Sequence, residues 1–200
     1  MKKLVILLVG FVFLQLIIGS KVYAGRKLFI PLKTGQTFTF AVTDSAGNTW
    51  EEKILVSGTA TIMKKKYFVI DVMEVGPDGP YDDPEKFFLR STKDRSYTYD
   101  GFGVERLRRY NAPVGTTWSY TEFDGDIKER TIESIETVTV PAGTFEGCLK
   151  IHVRCLNCDD ENAHYIEWVK PGFMLVKWVD YWVDPEDNPP ITYELKSWTK

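Results

Sequence analysis

Helical periodicity is what this sequence most plainly lacks. After residue 24, no ten-residue window carries apolar residues at the spacing of an amphipathic helix. That removes the helix start beside which a thioredoxin-like cysteine pair works. Histidine is scarce, at two residues, and cysteine nearly so, at three. A Gly-x-Ser-x-Gly nucleophile elbow is missing. Base is in deficit, with 25 Lys and Arg against 28 Asp and Glu. An acidic chain with scattered bases is a poor partner for nucleic acid or for an anionic membrane. The short groups Lys64-Lys65-Lys66 and Arg106, Arg108 and Arg109 read as a hairpin turn and a solvated strand face.

Long apolar runs are also wanting, except one. Leu4 to Gly19 is apolar apart from Gln15, follows Lys2 and Lys3, and precedes Val22-Tyr23-Ala24. Those are the three parts of a secretory signal, with small residues at the cleavage site. A membrane span needs ~20 apolar residues, and this run falls short. No cysteine follows it directly, which argues against lipid attachment there. Cleavage after Ala24 leaves Gly25–Lys200 as a single β domain of 176 residues. It removes three lysines and no acid, so the formal charge moves from −3 to −6. The expectation is a secreted or periplasmic protein with no stable membrane insertion once the signal is gone.

Strand signals fill what remains. Thr37-Phe38-Thr39-Phe40-Ala41-Val42, Thr117-Trp118-Ser119-Tyr120 and Thr137-Val138-Thr139-Val140 alternate polar with apolar residues. Such alternation gives a sheet one apolar face. Turn residues punctuate at short intervals: Ala46-Gly47-Asn48, Asp78-Gly79-Pro80, Asp100-Gly101, Asp124-Gly125 and Pro141-Ala142-Gly143. Ten or eleven strands in an antiparallel meander are expected.

The chain repeats itself at about eighty residues. Gly35-Gln36-Thr37-Phe38-Thr39-Phe40 returns as Gly115-Thr116-Thr117-Trp118-Ser119-Tyr120, offset by 80. Glu51–Ile62 returns as Glu129–Val140, offset by 78, and Phe68–Val72 as Leu149–Val153, offset by 81. Phe88-Leu89-Arg90 returns as Trp168-Val169-Lys170. Pseudo-repeats of about 33–110 and 113–198 would build one all-β, internally duplicated antiparallel sheet. That sheet would be strongly curved, as a half-barrel or open barrel, since a sheet with one apolar face must cover it.

Val140-Pro141-Ala142-Gly143-Thr144-Phe145, followed by Cys148 and Lys150, and then Trp168-Val169-Lys170-Pro171-Gly172 with Val176-Lys177, form a recognisable signature. On these residues the chain resembles a group of uncharacterised secreted bacterial β-proteins. The likeness is best over Gly115–Lys177, and Met174 departs from it where a second glycine is usual. The resemblance implies a fold similar to the half-barrel of the lipoprotein carriers LolA and LolB, with no established activity and no cofactor.

Candidate chemistry gathers in one place. All three cysteines and both histidines lie between Cys148 and His164. In an exported chain, Cys155-Leu156-Asn157-Cys158 reads first as a disulfide, with Cys148 left as a small buried thiol. Plain thiols, or zinc held by Cys155, Cys158 and His164, are the alternatives. His152 sits on the opposite strand face from Cys155 by parity. Acidic residues recur in the groups Asp78, Asp82, Asp83 and Glu85, then Asp159, Asp160 and Glu161, then Asp184, Glu186 and Asp187. None makes a calcium loop, and solvated turns account for them. A hydrolase drawing two carboxylates from such loops is the weakest function considered.

Aromatics supply the main functional expectation. Phe38, Phe40, Trp118, Tyr120, Trp168, Trp178 and Trp182 fall on strand patterns. They read as core, and where a curved sheet leaves a concavity, the first six line it for a lipid or other apolar ligand. The leading expectation is a non-catalytic extracytoplasmic protein that binds an apolar or amphipathic molecule. The alternative is a structural or assembly module of the cell envelope.

Overall fold

A computed structural model describes residues 30–76, 79–80, 83–92, 95–99, 104–109, 112–122, 125–158, 164–181 and 190–199. The expected signal segment at residues 1–24, Trp182, the expected Asp100-Gly101 turn and most of the loop acids lie outside the described residues. Among the described residues, thirteen strands follow in chain order. The first half holds β1 (Thr37–Thr43), β2 (Thr49–Ile62), β3 (Lys65–Gly76), β4 (Gly79–Pro80), β5 (Glu85–Ser91), β6 (Arg95–Tyr99) and β7 (Val104–Arg109). The second holds β8 (Thr117–Thr121), β9 (Ile127–Val140), β10 (Gly143–Cys155), β11 (His164–Val169), β12 (Leu175–Asp180) and β13 (Ile191–Trp198). No helix occurs among the described residues. The expected ten or eleven strands fall short because the two-residue β4 and five-residue β6 give alternation too little length to register.

The strands form one sheet in the order β7-β6-β5-β3-β2-β1-β13-β12-β11-β10-β9-β8, with β4 beside β3. Every pairing is antiparallel. β7 and β8 end the order without pairing to each other, so the sheet stays open. Its two halves meet in the middle, where β1 pairs with β13 and sets Phe40 against Leu195.

Both halves begin the same way. Gly35 N donates to Val56 O at 2.8 Å, and Val56 N to Gln36 O at 2.9 Å. Gly115 N donates to Ile132 O at 2.8 Å, and Ile132 N to Thr116 O at 3.0 Å. Both glycines sit at φ 85°, a left-handed backbone that a side chain resists. The register of each long hairpin then slips at the next residue, Ser57 in one and Glu133 in the other. These bonds match Val56 with Ile132, an offset of 76 where sequence alignment gives 78. A second slip, between Phe145 and Cys148, sets Glu146 and Gly147 of β10 against the single residue Thr137 of β9.

Curvature shows in contacts between distant strands. Phe145 on β10 and Trp198 on β13 stand three strands apart, ~14 Å in a flat sheet. Their ring centroids are 5.9 Å apart. The Pro141-Ala142 hairpin folds over one end of the sheet, where Ala142 N donates to Leu195 O at 3.0 Å. Phe173, from the Pro171-Gly172 turn, stacks on Phe145 at 5.4 Å and meets Trp198 at 5.2 Å and Phe38 at 6.0 Å. The two stretches that carry the sequence signature thus meet as an aromatic plug. Inside the roll, Phe38, Phe40, Val42, Val56, Ile132, Ile151, Val153 and Leu195 are buried. The outer face carries Glu51, Lys150, Arg154, Lys177 and Lys196 in partly exposed ion pairs, each worth about 1 kcal/mol or less, and His152 beside Glu133.

Candidate functional site

Strand parity sorts the six candidate lining aromatics into three groups. Phe38, Phe40 and Trp118 are buried, at 1 %, 0 % and 6 % exposure, and belong to the core. Tyr120 and Trp178 are half-buried on the same inner face. Trp168 is half-buried on the outer face, where it pairs with Lys150 and Lys177 and donates from Nε1 to Glu136 at 3.2 Å. Its strand neighbour Glu167 takes the inner position. The structure therefore brings Phe40 and Trp178 together, edge to face at 5.0 Å, and separates Trp168 from them.

The inner face carries an aromatic pair ringed by acid. Trp178 stacks flat on Tyr193, with centroids 3.8 Å apart and planes 9° off parallel. Both rings are half-buried. Glu52 faces Glu74 across the β2–β3 ladder, Glu85 stands opposite Val72 one strand further, and Asp180 follows Trp178 on the same face. Burial, then Glu74 and Glu85, pushes the Glu52 carboxyl up to about 7. Burial, then Glu52, Asp180 and Glu74, pushes the Tyr193 hydroxyl up.

Glu52 makes a testable mark on stability. The unfolded chain gives up this proton near 4.5 and the folded chain only near 7. Between those values the folded state holds more protons, so the contribution is complete below 4.5 and is lost as pH rises through 7. The melting temperature of the wild type, minus that of Glu52→Gln, should fall across this window. A difference that stays flat with pH would contradict the assignment.

A second polar group crosses the inner face between β9 and β11. Arg130 is 2 % exposed and Glu167 2 %. Their Nη1–Oε1 distance is 2.5 Å. Arg130 Nη2 also donates to the Tyr165 hydroxyl at 2.5 Å and the Tyr120 hydroxyl at 3.2 Å. Burial alone would lower the Arg130 pKa, but Glu167, Tyr165 and Tyr120 outweigh it and raise it. Charge is compensated here and every partner is engaged, so this network orders the sheet.

Cys155 and Cys158 form a disulfide with Cα atoms 5.6 Å apart. Cys148 is free and buried, and burial pushes its thiol up to about 11. His164 does not join the cysteines. It pairs in register with Arg154 on the outer face, stacks on Tyr181 at 4.5 Å and meets His152 at 5.1 Å. Asp126 stands beside the cysteine pair instead, within 4.8 Å of both sulfurs. Of the loop acids, Asp83 and Glu85 are described and exposed.

A depression of about 440 Å³ lies mainly on the outer face, lined by Ala41, Thr49, Trp50, Glu51, Val75, Gly76 and Lys196. The Lys196–Glu51 ion pair, at 2.6 Å, occupies its rim, so it suits an apolar ligand less well than the inner aromatic pair. Sequence reasoning missed Glu52, Lys128, Arg130, Glu167 and Tyr193 as inner residues. Parity could have found them. Glu52 shares a face with Ile54 and Val56, Arg130 with Ile132, and Glu167 with Val169.

No protein-family model matches this chain, and no curated protein does. Solved structures do. One is of a protein from Parabacteroides distasonis ATCC 8503, provisionally described as a lipoprotein. It is 16 % identical with a TM-score of 0.55, over 86 % of this chain and 99 % of that one. Another is of a protein from Bacteroides fragilis NCTC 9343, provisionally described as exported and as having a YmcC-like fold. It is 13 % identical with a TM-score of 0.59, over 87 % of this chain and 100 % of that one. At such identities the likeness is one of fold, and this chain shares that fold along nearly its whole described length.

Proposed function

We propose that this is a non-catalytic extracytoplasmic protein, secreted or periplasmic, that binds an amphipathic small molecule on the inner face of its curved sheet. The observation that carries the reading is the half-buried Trp178–Tyr193 stack ringed by Glu52, Glu74, Glu85 and Asp180. Aromatic faces flanked by carboxylates attract an organic cation, and the adjoining Phe40 edge offers apolar contact. The bound molecule therefore has an apolar body and a cationic group. The signal-like segment at residues 1–24, the exported and lipoprotein descriptions of the two fold relatives, and the resemblance to LolA and LolB support the compartment and the carrier role. The same reading takes 25–200 as one domain made of two copies of a six-strand unit, with the two-residue β4 outside the repeat, supported by the matched Gly35 and Gly115 turns.

The open ladder edges of β7 and β8 favour a second reading, an envelope assembly module that docks through a sheet edge. Titration with an alkylammonium amphiphile below its micelle concentration, followed by tryptophan emission, separates the two. Binding to the inner face predicts a saturable shift that disappears in Trp178→Phe and weakens in Glu52→Gln, with an alkyl sulfate of equal chain length binding less. A featureless titration, or one indifferent to Trp178→Phe, would retire the carrier reading.

A further inference from the structure

The Cys155–Cys158 disulfide sits in a setting that exceeds what a staple needs. Its loop is pinned to the β8–β9 turn by three hydrogen bonds that do not involve sulfur. Leu156 N donates to Ile127 O at 2.8 Å, Ile127 N to Asn157 Oδ1 at 2.6 Å, and Asn157 Nδ2 to Gly125 O at 3.1 Å. Opening the S–S bond leaves those ties in place. The same turn presents Asp126, whose Oδ2 is 3.1 Å from Cys158 Sγ. All three ligand atoms lie within 4.8 Å of one another. In a tetrahedral site with metal–sulfur bonds of ~2.3 Å, two sulfurs stand roughly 3.8 Å apart. Side-chain rotation about fixed backbones meets that separation, since Cα atoms 5.6 Å apart leave room for it.

Charge decides what the opened site would hold. Lys128, 3 % exposed, is the cation beside it, with Nζ 2.8 Å from Asp126, 3.5 Å from Glu122 and 3.6 Å from Cys158 Sγ. Two thiolates would add two negative charges to this cluster, and a divalent cation would cancel those two while Lys128 keeps Glu122.

The geometry points to a redox-gated metal site, in which Cys155, Cys158 and Asp126 bind a soft divalent ion such as Zn²⁺ once the disulfide is reduced. A dithiol reductant supplies two electrons and two protons, becoming a disulfide while Cys155 and Cys158 become thiols. The metal then displaces both thiol protons, forms two metal–sulfur bonds and one metal–oxygen bond, and leaves the fourth position to water. Asp126 takes the place that spacing alone gave to His164. The inference is independent of the inner-face ligand.

The test uses the full exported chain, oxidised or reduced with a phosphine that is then removed, and titrated with Zn²⁺ and with Co²⁺. The reduced chain should take one equivalent, release about two protons per metal and show thiolate-to-cobalt charge transfer. The oxidised chain should do none of these. Asp126→Ala should weaken binding by about 10- to 100-fold or more, and Cys158→Ser should abolish it. Circular dichroism must show strand content retained on reduction. A folded reduced chain that takes no metal, Asp126→Ala binding as tightly as wild type, or unfolding on reduction would each overturn the proposal.

Discussion

Arg130→Met should lower stability by about 3–5 kcal/mol, because it takes the ion-pair partner away from the buried Glu167 carboxylate. Glu167 is 2 % exposed, and Arg130 is its ion-pair partner at 2.5 Å. Tyr120 and Tyr165 would lose their donor in the same step. With a urea slope of ~2 kcal/mol/M, the midpoint should drop by roughly 1.5–2.5 M. The double variant Arg130→Met, Glu167→Leu should recover most of that loss, since apolar pairs of similar volume commonly equal buried ion pairs. If Arg130→Met alone stays within about 1 kcal/mol of wild type, the pair is not sealed from water. The inner face would then be wetter than described.

Phe40→Ala should cost about 3–5 kcal/mol, the usual range for emptying a closed aromatic site. Phe40 is 0 % exposed, lies opposite Leu195 and Glu52, and meets Trp178 edge to face. At ~2–4 °C per kcal/mol for a chain of this size, the melting temperature should fall by about 6–20 °C. Trp178→Ala, at a half-buried ring, should cost clearly less stability and more ligand affinity. That contrast divides the aromatics into core and lining. Equal stability losses at both positions would mean that the whole set is core and that the inner face offers nothing to a ligand.

The local layers of this fold were legible in the residues. Thr37–Val42 alternates because one face of β1 is sealed, and Gly35 and Gly115 open the two halves because both need a left-handed backbone. The Cys155–Cys158 pair followed from three-residue spacing in a chain whose first residues read as an export signal. Long-range pairing was not legible, because β-ladder partners leave no local trace. Nothing near Phe40 announces Leu195, and nothing near Phe145 announces Trp198. The candidate site was obscured for a different reason. Glu52, Arg130 and Glu167 are charged, and charge on a strand is ordinarily read as solvent-facing. Their parity with Ile54, Ile132 and Val169 carried the opposite message, and the structure follows parity. Trp168 shows the converse, an aromatic whose parity with Lys170 marks it as outer.

The inner-face binding claim meets its most direct test in native mass spectrometry of the chain exported to an oxidising compartment and purified without detergent, before and after denaturation. The account predicts a chain beginning at Gly25, lighter by two hydrogens for one disulfide, with an added mass of a few hundred daltons (roughly that of a pocket-sized amphiphile). Denaturation should release that mass, and Trp178→Ala should lack it. A bare chain from the wild type, together with no uptake when alkylammonium amphiphile is supplied, would contradict the carrier reading and leave the sheet edges as the working surface.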